Sequence, residues 1–223
     1  MEIHRESVLE AAYREGFEEG YEQGCREAEE RYNEYIIKLI EKTMEILDNF
    51  SYERPSESVY KITGVEELGK KFILAKVEDE LKKNGWLVCD VNCDVNSDGN
   101  ILMQIAAMLS KEGFSKKKEN GGDFGYSDDK FFDIGIEVEE MIQEAQKKQK
   151  KILIGIDEIA KTDEMVRFVA EYGRWLRANY PVYLVCTGLY ENIQELSNVK
   201  NLTFFRRATT IRTEPLQRLG KME

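Results

Sequence analysis

The stretch ITGVEELGKKFIL, residues 62–74, contains Gly64, then four residues, then Gly69 and Lys70. This is the spacing of a loop whose backbone N–H groups surround a phosphate while the lysine reaches the outer phosphates. The stretch follows a short apolar segment and opens a helical pattern, and a helix N-terminus favours a bound anion. Gly64, Gly69 and Lys70 are therefore predicted to contact a nucleotide.

Three residues of the same stretch depart from a phosphate loop. The position after the lysine is normally Ser or Thr but is Lys71, and the loop interior carries Glu66 and Glu67. Lys71 cannot ligate magnesium, because an ammonium group has only donors. At about 7 Å and an effective dielectric constant near 20, each glutamate–phosphate charge pair costs roughly 2 kcal/mol, or about 30-fold in affinity. We expect Lys71 to offset part of this repulsion at the phosphates.

Composition limits the classes of protein to consider. The chain has 223 residues, of which 42% are hydrophobic and 34% charged, which is enough for one core domain plus an appendage. The net charge of −11 argues against a protein that coats duplex nucleic acid, because phosphate contacts need Lys and Arg. No apolar run approaches the roughly 20 residues of a membrane helix, so no membrane association is expected.

Cysteine and histidine usage excludes several kinds of site. The cysteines at positions 25, 89, 93 and 186 match neither a zinc nor a disulfide pattern, which predicts reduced thiols and a cytoplasmic protein. The single histidine, His4, leaves no basis for a His-based triad or a multi-histidine metal site. The charged N-terminus lacks the apolar core of a signal peptide.

Residues 5–49 contain no proline and are rich in Glu, Arg and Lys, which predicts one long helix or two abutting helices. Its second half carries apolar residues at three- and four-residue spacings. These are Tyr32, Ile36, Leu39, Ile40, Leu47 and Phe50. Such a stripe is marginal in water by itself, so we expect it to pack on another chain or on the downstream domain.

Small residues recur at every fourth position in the first half of this helix. They are Ala12, Gly16, Gly20, Gly24 and Ala28. Each glycine costs a helix about 1 kcal/mol relative to alanine, so the stripe either lets two helices approach closely in a homo-oligomer or belongs to a solvated charged helix. The run resembles the glycine repeat of flagellar and type III export stator proteins over about residues 12–28, and this resemblance implies no activity.

The turn-forming segment 48–58, which includes Pro55, places a domain boundary near residue 51. We predict an N-terminal helical segment over 1–50 and a core domain over 51–223. In the core, fully apolar strands alternate with helices, which is typical of a parallel sheet covered on both faces. Strands are predicted at 59–64, 86–92, 151–158, 181–188 and 208–216, and helices at 69–85, 101–110, 133–150 and 163–180.

Two polar segments separate these elements. Residues 111–130 are interpreted as a Gly-rich loop. Residues 94–100, DVNSDGN, imitate the start of a calcium loop, but the twelfth position is Ile105 instead of a bidentate glutamate. We interpret this segment as a polar turn.

Ligands of parallel sheets bind at the carboxyl ends of the strands, where chemically useful side chains are expected. Asp157 and Glu158 end the strand KILIGIDE, and such residues can hold a magnesium shell and orient an attacking water. Thr187 ends the next strand and could hydrogen-bond the terminal phosphate or that water. Arg206 and Arg207 precede the last strand and could stabilise phosphate charge in this chain or in a neighbour.

Two long segments carry a family resemblance. Residues 150–216, from KKILIGIDEIAKTDE to FFRRATTIRTEPL, resemble the Walker-B-to-arginine region of bacterial AAA-family ATP-binding proteins of the archaeal-ATPase and origin-recognition type. Residues 59–92 resemble the first strand, phosphate loop and second strand of the same family. The resemblance covers about residues 55–218 and implies a three-layer α/β P-loop NTPase core of the ASCE class with a five-stranded parallel sheet.

The resemblance also implies roles for single residues. Gly64, Gly69 and Lys70 would be phosphate-loop positions. Asp157 would be the acid associated with Mg²⁺ and Glu158 the catalytic acid, with Thr187 as the sensor on the fourth strand and Arg206 or Arg207 as a finger.

The expected function follows from these residues and departures. The chain is predicted to bind ATP with Mg²⁺ in an altered loop, with hydrolysis weak or lost. The C-terminal helical lid of the family is expected to be absent after TEPLQRLGKME. The alternative is a non-enzymatic interaction module that oligomerises through its N-terminal helix. A nucleic-acid partner is implied by family resemblance only.

Overall fold

The computed structural model describes residues 2–64, 67–93, 100–114 and 128–213, without the side chains of 2–15, 67, 68 and 128–133. After a long first helix, successive strands are separated by one or two helices. The helices are α1 Glu2–Ser51, α2 Glu67–Lys83, α3 Ile101–Lys111, α4 Asp128–Lys147, α5 Asp163–Arg177, α6 Tyr190–Ser197 and α7 Thr203–Arg207. The strands are β1 Val59–Thr63, β2 Leu87–Asn92, β3 Ile152–Asp157, β4 Val182–Gly188 and β5 Thr209–Arg212.

The strands form one parallel sheet in the order β2-β3-β4-β1-β5. Thr63 at the end of β1 pairs with Gly188 of β4 and with Arg212 of β5. Asn92 of β2 pairs with Asp157 of β3. The carboxyl ends of the strands therefore meet at one edge, and the five-stranded parallel sheet predicted from the sequence is confirmed.

Helices cover both faces of the sheet, and β3 shows why its sequence is continuously apolar. Ile152, Ile154 and Ile156 are buried in the hydrophobic cluster that also holds residues of α3, α4 and α5. Leu153 is buried in the cluster on the other face, with residues of α1 and α2. A strand buried on both faces needs apolar residues at successive positions, and this gives three layers.

The second half of α1 packs on the core domain, which is the partner that its apolar stripe needs. The buried line on α1 is Tyr35, Leu39, Ile46 and Phe50. Tyr32 and Ile40 of the predicted stripe are instead 49% and 46% exposed. The predicted boundary near residue 51 coincides with the end of α1, but residues 35–50 share a core with the domain that follows. A division into two domains at this point stays a prediction.

α1 runs from the carboxyl edge of the sheet towards the opposite edge. Lys42 Nζ donates a hydrogen bond to the carbonyl of Arg212, at the end of β5. Eight residues later, the ring of Phe50 lies 5.6 Å from that of Tyr60, near the start of β1. Residues 16–34 therefore continue past the carboxyl edge, and each of them is exposed or half-buried. At 1.5 Å per residue they extend about 30 Å.

Several predictions fall on parts of the chain that the structure does not describe. They concern Glu66, the polar turn at 94–99, most of the loop at 111–130, and residues 214–223. The side chain of Glu67 is also outside the description. Within the described ranges, no helix combines the length and the apolar character that a membrane span requires.

Candidate functional site

Lys70 is buried at the junction of β1 and α2. Only 1% of its side chain is exposed, although a lysine is seldom buried without partners. Its Nζ donates a hydrogen bond to the carbonyl oxygen of Gly64 at 2.9 Å and lies 3.3 Å from Oε1 of Glu158. The ammonium group therefore lies between the start of the loop and the acid that follows β3.

Both glycines of the motif are in close contact with other parts of the fold. A Cβ at Gly64 would lie 1.9 Å from Oγ1 of Thr213, which follows β5. A Cβ at Gly69 would lie 2.3 Å from the hydroxyl oxygen of Tyr35 on α1. Any side chain at either position would require its neighbour to move. Packing therefore accounts for both glycines, whether or not the loop binds a phosphate.

Asp157 and Glu158 are held against β4 by Thr187. The buried Thr187 hydroxyl donates to Oδ1 of Asp157 at 2.5 Å and accepts from the backbone N–H of Glu158 at 2.9 Å. Glu158 has a φ of +50°, a left-handed conformation that costs energy for a residue with a side chain. Such conformations concentrate at functional sites. The hydroxyl group of Thr187 has one proton, which it donates to Asp157, and its oxygen accepts from Glu158. Thr187 therefore positions both acids in this arrangement.

Two lysines of α2 pair with these two acids. Lys70 contacts Glu158, and Lys71 Nζ lies 3.5 Å from Oδ2 of Asp157. The four charges balance, and the pairs connect the start of α2 to the end of β3. The side chains of Lys71 and Asp157 are 49% and 27% exposed. The Lys71 pair is therefore open to solvent, whereas Lys70 is enclosed.

The donor set around Asp157 does not fit the magnesium ion that the family resemblance implies. Mg²⁺ requires an octahedral shell of oxygen atoms at about 2.0–2.1 Å. One Asp157 oxygen accepts from Thr187, and the other faces the ammonium of Lys71. A divalent ion about 4 Å from this ammonium would be repelled by roughly 8 kcal/mol at an effective dielectric constant of 20. Within the part of the chain that the structure describes, no group of three or more His, Cys, Asp or Glu side chains could hold a metal ion.

Glu78 is a neighbour of the site that sequence reasoning missed. It projects from α2 onto β3, where a Cβ at Gly155 would lie 1.8 Å from its Oε1 atom. Burial, followed by the nearby charges of Asp90, Asp79 and Asp157, raises the pKa of Glu78 from 4.5 to about 8. Gly155, inside an otherwise apolar strand, was the available signal, because such a glycine often marks a close approach.

Arg206 and Arg207 are not part of this group. They end α7, just before β5, and the first residue of β5 pairs with Tyr60 near the start of β1. In a parallel sheet these arginines therefore lie towards the amino edge, opposite Asp157 and Gly64. Lys61 of β1 donates to the carbonyl of Phe205 there, at 2.8 Å. The structure therefore does not bring them together with Lys70, Asp157 and Glu158 in their own chain. A role in a neighbouring chain stays a prediction.

The structure brings together the other residues that the sequence singled out. They are Gly64, Gly69, Lys70, Lys71, Asp157, Glu158 and Thr187. They converge where β1, β3 and β4 end, which is the edge at which parallel sheets bind ligands.

The architecture of this chain is similar to that of several solved structures. Drosophila ORC bound to DNA is similar with a TM-score of 0.51 and 13% identity, covering 84% of this chain and 96% of that one. Cdc6p from Pyrobaculum aerophilum is similar with a TM-score of 0.50 and 14% identity, covering 78% of this chain. The chain has an AAA-type, origin-recognition-like P-loop fold.

At this level of identity, the similarity extends to the AAA-type fold and no further. The chain spans 44% of the length of the Pyrobaculum Cdc6p protein. No protein-family model matches the sequence, and no curated protein matches it. The chemistry of the site therefore depends on the residues of this chain, to which the similarity assigns no role.

Proposed function

We propose that this AAA-type domain binds ATP through an altered phosphate loop and hydrolyses it weakly or not at all. The observation that carries the proposal is the position of Lys70. Its buried ammonium lies 2.9 Å from the Gly64 carbonyl and 3.3 Å from Glu158, at the edge where β1 and β3 end. A lysine at the N-terminal turn of a helix, directly after a glycine loop, is placed to contact phosphate oxygens.

Three features support weak hydrolysis. Glu158, the residue proposed to orient water, is paired with Lys70. The proton of Thr187 is donated to Asp157, so it would have to be released before Thr187 could donate to a phosphate. The arginines before β5 lie at the other edge of the sheet. We therefore expect Arg206 and Arg207 to give no stabilisation to the negative charge of the transition state within their own chain.

Titration calorimetry with ATP tests nucleotide binding, with Lys70→Ala as the informative variant. We expect the wild-type protein to bind, and the variant to lose about 10- to 100-fold in affinity because a charged hydrogen-bond donor to phosphate is removed. Lys76→Ala is the matched control, since Lys76 is an exposed lysine on the same helix. Equal affinity for wild type and Lys70→Ala would contradict the proposed phosphate contact.

Hydrolysis is measured separately, with Glu158→Gln. This change removes the proposed water-orienting carboxylate, so any residual ATPase activity should fall while ATP binding remains. A wild-type rate typical of an active ATPase, about 1 s⁻¹ or more, would contradict weak hydrolysis.

A second candidate function is a protein-interaction module that forms homo-oligomers through α1. Phe17 and Tyr21 are 68% and 67% exposed, and a Cβ at Gly16, Gly20 or Gly24 would meet nothing within 4 Å. These residues leave room for a second helix to approach closely. This is the specific observation that favours the candidate.

Light scattering of the Gly20→Leu variant tests this second candidate. A leucine in the seam should reduce the oligomeric mass, because it separates the two backbones. Glu22→Leu adds a leucine to the same exposed segment outside the glycine stripe and serves as the control. An unchanged mass for Gly20→Leu would show that the stripe is not a packing seam.

DNA is a weaker candidate partner. The Drosophila ORC structure contains DNA, but the net charge of −11 in this chain gives no support to a duplex-binding surface. ATP therefore remains the first ligand to test.

A further inference from the structure

Lys71 occupies the motif position that normally supplies a hydroxyl ligand for magnesium. The structure directs its ammonium group to Asp157, with 3.5 Å between Nζ and Oδ2. Asp157 is the residue to which the family resemblance assigns the metal. The carboxylate that would hold the metal is therefore paired with an ammonium group of the same chain.

The remaining contacts of Asp157 reinforce this arrangement. Its other oxygen accepts a hydrogen bond of 2.5 Å from Thr187, which is completely buried. The carboxylate is thus held from both sides, by a hydroxyl of β4 and an ammonium of α2. A magnesium ion would have to displace Lys71 before it could approach Asp157.

An ammonium group can perform part of the work of the metal ion. It carries three protons, so one group can bridge a carboxylate and a phosphate oxygen. The Lys71 side chain is half-exposed and follows Lys70 directly, so it reaches the edge where the nucleotide phosphates would lie. Lysine is a common phosphate-binding residue and acts there as a point charge.

We infer that Lys71 takes the place of magnesium in this site, where its ammonium group bridges Asp157 and the phosphates, so that the domain binds ATP free of a divalent ion. The inference rests on the proposed ATP binding and specifies which form of the nucleotide is bound. It also accounts for weak hydrolysis, because a single positive charge replaces the double charge of the metal.

Titration calorimetry with ATP, in excess EDTA and in excess Mg²⁺, tests the inference. For the wild-type protein, affinity in Mg²⁺ should be no higher than in EDTA. Lys71→Thr restores the hydroxyl, so its affinity should rise about tenfold or more when Mg²⁺ replaces EDTA, a difference of about 1.4 kcal/mol. Lys71→Met should bind ATP weakly in both buffers, because it has neither the charge nor the hydroxyl.

A spectroscopic measurement reports on the metal directly. Mn²⁺ suits the same oxygen ligands as Mg²⁺, and its electron paramagnetic resonance signal changes when it binds to protein. With ATP present, Lys71→Thr should immobilise Mn²⁺, and the wild type should not. Lys76→Thr is the matched control and should behave as the wild type in both experiments. Thermal unfolding of each variant checks that the half-exposed substitution leaves the fold intact.

The outcomes distinguish failure of the inference from failure of the proposed function. Tighter wild-type binding in Mg²⁺ than in EDTA, or immobilised Mn²⁺ on the wild type, would overturn the inference and leave ATP binding standing. A Lys71→Thr variant that gains nothing from Mg²⁺ would also overturn it. Absence of wild-type ATP binding in both buffers would overturn the proposed function, and the inference with it.

Discussion

Glu78 shows how the fold changes the chemistry of a single side chain. Its sequence context, KVEDELKK, is that of a solvated helix surface. The structure turns its carboxyl group onto Gly155 and near the acids Asp90 and Asp157, and burial raises its pKa to about 8. The folded chain therefore holds a proton here at a pH at which the unfolded chain has lost it.

This shift predicts a pH dependence of stability. The raised pKa means that the contribution of Glu78 is complete below about pH 4.5 and is lost as the pH rises through about 8. Glu78→Gln keeps the shape of the neutral side chain, so it should flatten this part of the profile. At about pH 9 we expect the variant to be more stable than wild type by on the order of 2 kcal/mol, allowing for partial solvent exposure.

Urea unfolding of both proteins at about pH 6 and about pH 9 measures the difference. Glu195→Gln is a suitable control, since Glu195 is an exposed acid on α6 and is not among the charges that raise the pKa of Glu78. A Glu78→Gln profile that falls as steeply as the wild-type profile would contradict the protonated buried carboxyl.

The edge of the sheet at which a residue lies could be predicted when it depends only on the position of that residue along one strand or loop. Lys70, Asp157 and Thr187 could be assigned to one edge because each lies at the end of a strand or the start of a helix. The position of Arg207 could also have been derived, because a residue that precedes a parallel strand lies at its amino edge. The contact between Glu78 and Gly155 could be derived only in part, because the glycine indicates a close approach to β3 but not which distant element provides the partner.

The helices α2, α4 and α5 end in the same kind of turn. After α2, α4 and α5, the chain turns through one residue with positive φ: Gly85 at 79°, Gln149 at 56° and Asn179 at 56°. The N–H groups of these residues and the ones that follow bond back to the last turn of each helix, as in a Schellman motif. Each turn then leads the chain into the next strand.

These turns explain where the predicted helix ends are wrong. The helices predicted to reach residues 150 and 180 end at Lys147 and Arg177. Gly85 and Asn179 are residues that commonly signal a helix stop, whereas Gln149 is not. Gln149 is an unusual residue for a left-handed conformation. The chain turns there because β3 begins soon after it, at Ile152.

The conformation of Gln149 gives a prediction for this element. Gln149→Gly should raise the free energy of unfolding by about 1 kcal/mol, because glycine adopts the positive φ without a Cβ penalty. The reverse test is Gly85→Ala, which should lower it by a similar amount. Its Cβ would approach nothing closer than Lys150 Nζ at 3.8 Å, so backbone strain alone is measured.

Chemical denaturation gives both free energies, with Gln149→Ala as the control for loss of the side chain. Because alanine retains a Cβ, this control should not show the gain. Equal stabilisation by glycine and alanine would mean that the side chain, and not the backbone conformation, determines the effect.

At the scale of the whole molecule, α1 is part of the fold that carries the candidate site. Phe50 is 1% exposed, and its ring lies 5.6 Å from Trp86 and 5.2 Å from Tyr183. Near the other edge, Tyr35 of the same helix is in close contact with Gly69 of the phosphate loop. A movement of α1 would therefore displace both the aromatic rings packed on Phe50 and the start of α2.

Phe50→Ala tests this integration. We expect the free energy of unfolding to fall by about 3–5 kcal/mol, the usual cost of removing a buried phenylalanine ring. The loss should appear in a single cooperative transition, because α1 and α2 share one hydrophobic cluster. Tyr52→Ala, at a residue that is 65% exposed, should change stability little.

Denaturation followed both by circular dichroism and by tryptophan fluorescence distinguishes the alternatives, since Trp86 adjoins Phe50. Two separate transitions in the wild type, one for α1 and one for the core, would contradict the shared cluster. Coincident transitions would support it.

The sequence by itself determined the long first helix, the parallel sheet and the edge at which Lys70, Asp157 and Thr187 lie. These follow from local rules: apolar strands alternate with helices, and the order of residues along a parallel strand decides which end they occupy. Tertiary structure alone decided that α1 packs on its own core, that Lys71 faces Asp157 and that Glu78 lies on Gly155. Such contacts depend on how separate elements pack together, and no pattern within one element specifies that.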